Sequence, residues 1–103
     1  MTQAEMLREI LSPLIEDYRY WFGRSRQLLE KDNLGIISPE GQVELRRRLE
    51  QAEGELQTAT TLYELSDNEV GIDPALMAKW HRLLMECAEL GRRYYQLNPP
   101  SDP

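Results

Sequence analysis

The sequence predicts an all-α protein: an up-down-up antiparallel three-helix bundle, rod-like, with its first helix kinked near Pro13. Three observations lead there. Apolar residues recur at three- and four-residue steps through three separate stretches, which is the period of one helix face. Two short connections, DNLGIIS and SDNEVGID, separate those stretches, and each ends on a capping residue followed by Pro. A chain of 103 residues holds one domain with a single modest core.

Helix 1 is read over residues 3–32. Thr2 and Glu5 have the spacing of a capping box, in which a hydroxyl and a carboxylate satisfy free backbone N–H groups at the helix start. The apolar stripe runs Leu7, Leu11, Leu14, Tyr18, Trp21, Ser25, Leu28, with Ile15, Phe22 and Leu29 beside it. Truncating Trp21, the largest residue on that stripe, is expected to unfold the chain. Pro13 removes one backbone bond and crowds the preceding turn, at about 3 kcal/mol. The stripe keeps phase across it, which predicts a kink near residues 9–13; the alternative is a break at Ser12. Asn33 or Gly35 supplies the left-handed residue that ends the helix.

Helix 2 is read over residues 39–65. Ser38 caps, Pro39 opens the first turn and Glu40 matches the helix dipole. The stripe is Leu45, Leu49, Ala52, Leu56, Ala59, Tyr63, and its small residues leave room for the bulk of Trp21 and Phe22. Glu44 is expected to pair with Arg48 four residues on. Helix 3 is read over residues 74–97, capped by Asp73 and opened by Pro74, with Ile72 stapled onto Met77. Its stripe is Leu76, Trp80, Leu83, Cys87, Leu90, Tyr94, Leu97. The domain is thus 1–98, and residues 99–103 form a disordered tail.

Composition excludes several functions. The net charge of −6 disfavours nucleic-acid binding, because nothing neutralises phosphates overall. No stretch is long and apolar enough to cross a membrane, and the N-terminus lacks a signal-peptide pattern. A single cysteine allows no internal disulfide and fits a cytoplasmic protein.

Candidate chemistry is sparse, and no enzyme is expected. His81 and Cys87 lie about 120° apart around helix 3, so they form no nucleophile pair. Cys87 falls on the core stripe. Met77, His81 and Met85 at four-residue steps are soft-metal ligand types, but no metal motif accompanies them. A ferritin-like site needs Glu three residues before His81, and that residue is Ala78. Arg46, Arg47 and Arg48 spread over about 200° of helix and cannot share one ligand. They read as a solvated face, and peripheral contact with acidic lipid is the weaker reading. Glu16–Asp17 and Glu86 with Glu89 lack an apolar pocket to raise a pKa for acid catalysis. Gly35 and Gly71 are single glycines rather than a phosphate loop. No cofactor and no metal site is therefore predicted.

The run Pro13 to Ser25, together with Val70-Gly71-Ile72-Asp73 and Trp80-His81, resembles a small cyanobacterial family of unknown function. That resemblance implies a helical protein of a photosynthetic bacterium, cytosolic or peripheral to the thylakoid. It carries no functional residues.

Two functions fit the residues. The first is a protein–protein interaction or adaptor module, whose partner is another protein or a second copy. Its candidate face is the line His81, Met85, Ala88, Arg92, Tyr95 on helix 3. These residues step by four, three, four, three opposite the core stripe and are rich in types favoured at interfaces. The alternative is a carrier of a small apolar ligand or pigment in an aromatic core of Trp21, Phe22 and Trp80. No histidine on a core stripe is available to ligate a haem.

Overall fold

A computed structural model describes residues 2–31, 34–67 and 71–99. Three helices account for most of them: α1 (Gln3–Leu28), α2 (Pro39–Leu65) and α3 (Pro74–Leu97), and no strand occurs among the described residues. α1 is the shared element. Its backbone lies against both α2 and α3, whose backbones meet each other only marginally. The body measures 48 × 33 × 18 Å, elongated and flattened.

Side-chain pairs fix the directions. Between α2 and α3, Arg48 meets Glu86 and Glu55 meets Lys79, so numbers rise on one helix as they fall on the other. Between α1 and α3, the Tyr18 hydroxyl donates to the Met77 carbonyl at 3.4 Å, and Arg24 donates to Tyr95 at 2.8 Å. Numbers rise together there, as an up-down-up bundle requires.

The helix starts follow their capping residues. Thr2 accepts from the Glu5 N–H at 3.1 Å, Ser38 from the Gly41 N–H at 3.0 Å and Asp73 from the Ala75 N–H at 2.9 Å. At Gly41 the fit is tight: a Cβ would sit 3.0 Å from the capping Ser38 oxygen, which would have to give by a few tenths of an ångström. α1 runs without interruption through Pro13, which is solvent-exposed, so the break at Ser12 does not occur.

α1 ends at Leu28, four residues before the expected position. The reason is tertiary. Gln42, buried on α2, donates to the Leu29 carbonyl at 3.0 Å and the Lys31 carbonyl at 2.6 Å. A side chain from the next helix therefore takes up carbonyls that would otherwise need a continued helix or water. Gly35 does adopt a positive φ of 74°, but inside the connection and not at the helix end. Asn33, Val70 and residues 100–103 lie outside the described residues. Gln42→Leu removes the donor and leaves the buried Leu29 carbonyl unpaired, a loss of about 1–3 kcal/mol. It should lower the urea midpoint and speed hydrogen exchange at Leu29 and Lys31.

The core departs from the predicted stripes on each helix: α2 buries Thr60 and leaves Ala59 half-buried, Leu97 at the end of α3 is 64% exposed, and α1 shows the largest change. Its line on α1 is Leu11, Ile15, Tyr18, Phe22, Ser25, with Leu29 beyond the helix end, all buried. Trp21 is only half-buried, as are Leu7, Leu14 and Leu28. Two interleaved series share Leu11, Tyr18 and Ser25, and a helix flanked on both sides buries the one nearer the middle. Phe22 and Trp80, both 0% exposed, are the central bulk. Tyr18 joins them, stacked on Phe22 at 5.9 Å and edge-on to Trp80 at 5.7 Å.

Candidate functional site

The predicted line on α3 does not form one patch. His81 and Arg92 are exposed, Ala88 is half-buried, Met85 is 57% exposed and Tyr95 41% exposed. Met85 leans to the α2 side, where it edges a groove with Ile37, Leu45 and Arg93. Arg92 is occupied by Glu89 one turn back, with its Nε 2.9 Å from a carboxylate oxygen. Tyr95 turns the other way, toward α1. The divergence is geometric: a line centred on the outer face of a helix has flanks that belong to different neighbours.

What Tyr95 meets on α1 is the most developed surface feature. Arg24 donates to the Tyr20 hydroxyl at 2.7 Å and to the Tyr95 hydroxyl at 2.8 Å. Its guanidinium lies 5.9 Å, 5.8 Å and 5.2 Å from the ring centres of Tyr20, Trp21 and Tyr95. The phenol oxygens, Tyr95 first and Tyr20 next, hold the Arg24 proton more tightly than usual. Lys31 lies beside this edge, 5.5 Å from the Tyr94 ring centre. Among the described residues no carboxylate pairs with Arg24 or Lys31. Arg46, Arg47 and Arg48 differ in this respect. Each is paired, with Glu50, Glu44 and Glu86 respectively. The expected Glu44–Arg48 pair is thus replaced, because Arg48 reaches across to α3 and Glu44 takes Arg47 at the three-residue step.

Beside this cluster a recess of ≈ 330 Å³ opens between α1 and α3. Ser25, Cys87 and Gly91 form its floor, and Trp21 and Tyr95 stand at its sides. A Cβ at Gly91 would meet no atom within 4 Å, so the gap above it is unfilled by the chain.

A family described as "Protein of unknown function (DUF2605)" matches residues 1–96. The chain belongs to that family. No curated protein and no solved structure matches it. Membership in this family therefore assigns no residue a role, and the geometry must supply one.

The remaining candidates occupy separate places. Met77 is half-buried against the core while His81 and Met85 are exposed, so the thioether–imidazole series does not share one surface. Among the described residues no cluster of three His, Cys, Asp or Glu side chains is arranged to hold a metal ion. The rings of Tyr18, Phe22 and Trp80 pack on one another, and a core ligand would have to displace them. No helix among the described residues is long and apolar enough to cross a membrane.

Cys87 is buried, and burial pushes its thiol above the ordinary 9.0, assisted by the Glu86 charge and opposed by a Ser25 hydrogen bond and the Arg48 charge. Burial likewise raises Tyr18 above 10.0, assisted by Asp17. Both groups fold as neutral acids. Their contribution to stability is fully present below the ordinary thiol and phenol values and is lost as pH rises through the raised folded values. Urea midpoints should therefore fall on going from about pH 8 to pH 11, and Cys87→Ala should remove the earlier part of that fall. Alkylation of Cys87 in the native protein should be slow and governed by opening of the bundle.

Proposed function

We propose that this protein is a non-enzymatic interaction module of the cytoplasm of a photosynthetic bacterium, docking another protein or a second copy of itself. The observation that carries this reading is the Tyr20–Arg24–Tyr95 cluster on the α1–α3 edge. Tyr, Trp and Arg are the side chains that dominate binding energy at protein interfaces. Here they are preassembled: the guanidinium is held by two hydroxyls and three rings, so little side-chain freedom remains to be lost on association. Met85 lies apart from this cluster on the α2 side, and His81, Ala88 and Arg92 lie along the outer side of α3 between the two. The resemblance of Pro13 to Ser25 supports the host, and the single cysteine supports the compartment.

The test is a Tyr20→Ala, Tyr95→Glu double variant compared with the unchanged protein by light scattering and by pull-down from the native host. The variant is expected to keep its helical circular dichroism while losing a specific partner or a dimeric mass. Unchanged mass and partners in a folded variant would refute the reading. A Met85→Glu variant asks separately how far the face extends toward α2.

A further inference from the structure

The recess beside Arg24 has features that docking alone does not require. Its floor is made of small residues, and one of them, Gly91, sits in a helix interior where glycine is unfavourable. Among the described residues nothing needs that position empty, since a Cβ there would touch no neighbour. The missing side chain creates a trough flanked by the Trp21 and Tyr95 rings. The size, ≈ 330 Å³, falls within the range of about 300–1,000 Å³ that holds small organic ligands.

Hydrogen-bond donors converge at its rim. A guanidinium has five N–H groups, and Arg24 engages the two tyrosine oxygens through one terminal nitrogen each. Those oxygens act only as acceptors: neither the Tyr20 nor the Tyr95 O–H donates to a protein group among the described residues. A carboxylate arriving at this point would therefore find unspent guanidinium donors and two phenolic donors, with the Lys31 charge close by. In a chain of net charge −6, a rim of two cations without carboxylate partners among the described residues is a local inversion of charge.

We propose that this recess is a binding site for a carboxylate carried next to a flat apolar body, the body lying over Gly91 and the carboxylate on Arg24. The apolar part displaces water from the trough and stacks beside Trp21, and the charged part completes the Arg24 cluster. The chemistry is shared by a free aromatic acid and by the free C-terminus of a chain ending in an aromatic residue. This site is separable from the interaction reading, because the trough over Gly91 can be closed without touching Tyr20 or Tyr95.

The experiment is titration of the full chain with 2-naphthoate, 2-naphthamide and a pentapeptide ending in Phe with a free carboxylate, followed in ¹H–¹⁵N spectra. At least one acid should shift the Gly91 and Ser25 amides and the Trp21 indole saturably, while the Trp80 indole moves little. Naphthamide should bind at least tenfold more weakly than naphthoate. Arg24→Gln should weaken the acids at least tenfold, and Gly91→Leu should abolish binding while its melting temperature stays at or above that of the unchanged protein. Tighter binding of the peptide assigns the site to a chain terminus, and tighter binding of naphthoate assigns it to a free acid. Equal binding of amide and acid, or no saturable shift with either acid, would overturn the proposal. Gly91→Leu that loses naphthoate yet keeps its partner or mass leaves both readings standing. Loss of partner in Tyr20→Ala, Tyr95→Glu without any acid binding in the unchanged protein leaves only the first.

Discussion

Trp80→Ala is expected to leave the chain largely unfolded. Trp80 is the largest fully buried side chain and sits where α1 and α3 meet, edge-on to Tyr18. Truncating a buried aromatic costs about 3–5 kcal/mol, through lost burial and the cavity left behind. A small domain holds only about 5–15 kcal/mol in all. Trp80→Phe should be far milder. It keeps most of the ring and gives up an indole N–H that has no hydrogen-bond partner among the described residues. Burying such a donor unpaired is itself unfavourable, which offsets part of the lost contact. Circular dichroism against temperature separates the two variants, and an alanine variant melting within a few degrees of the unchanged protein would contradict this view of the core.

Phe22→Ala and Trp21→Ala should differ sharply, although Trp is the larger residue. Phe22 is fully enclosed and stacked on Tyr18, so its loss should cost about 3–5 kcal/mol. Trp21 lies half-buried at the side of the recess, and its removal costs about 1–2 kcal/mol through partial loss of apolar contact. Urea denaturation of the two variants reads the register of α1 directly. The reverse order would mean that the Trp21 line faces the core.

Much of the fold was legible because its signals are local. Ser38-Pro39 and Asp73-Pro74 start α2 and α3 by capping and by the fixed φ of proline, and the structure begins both helices there. The end of α1 was not legible, since its stop is a hydrogen bond from Gln42 on another helix. A signal was present: Gln42 lies three residues before Leu45, in phase with the α2 stripe, and a polar residue on an apolar phase has work to do in a core. The choice between Trp21 and Phe22 was beyond the pattern. Two series that share three residues are distinguished only by where the neighbouring helices sit.

The candidate surface divides in the same way. The line from His81 to Tyr95 was readable as a helical period, but its meeting with Arg24 was not, because 71 residues separate Arg24 from Tyr95. Only the parallel placement of α1 and α3 brings them together. Tyr20 and Arg24 stand one helical turn apart, a local spacing that the sequence reading did not single out.

The central claim is that the α1–α3 edge is the docking surface. The most direct measurement is photo-crosslinking in the native host, with p-benzoylphenylalanine placed at Tyr20 or Tyr95 and, as a reference, at exposed Leu62 of α2. The predicted result is a product of discrete mass from Tyr20 and Tyr95 but not from Leu62, with twice the chain's own mass if the partner is a second copy. Equal crosslinking from Leu62, or none from Tyr20 and Tyr95, would contradict it.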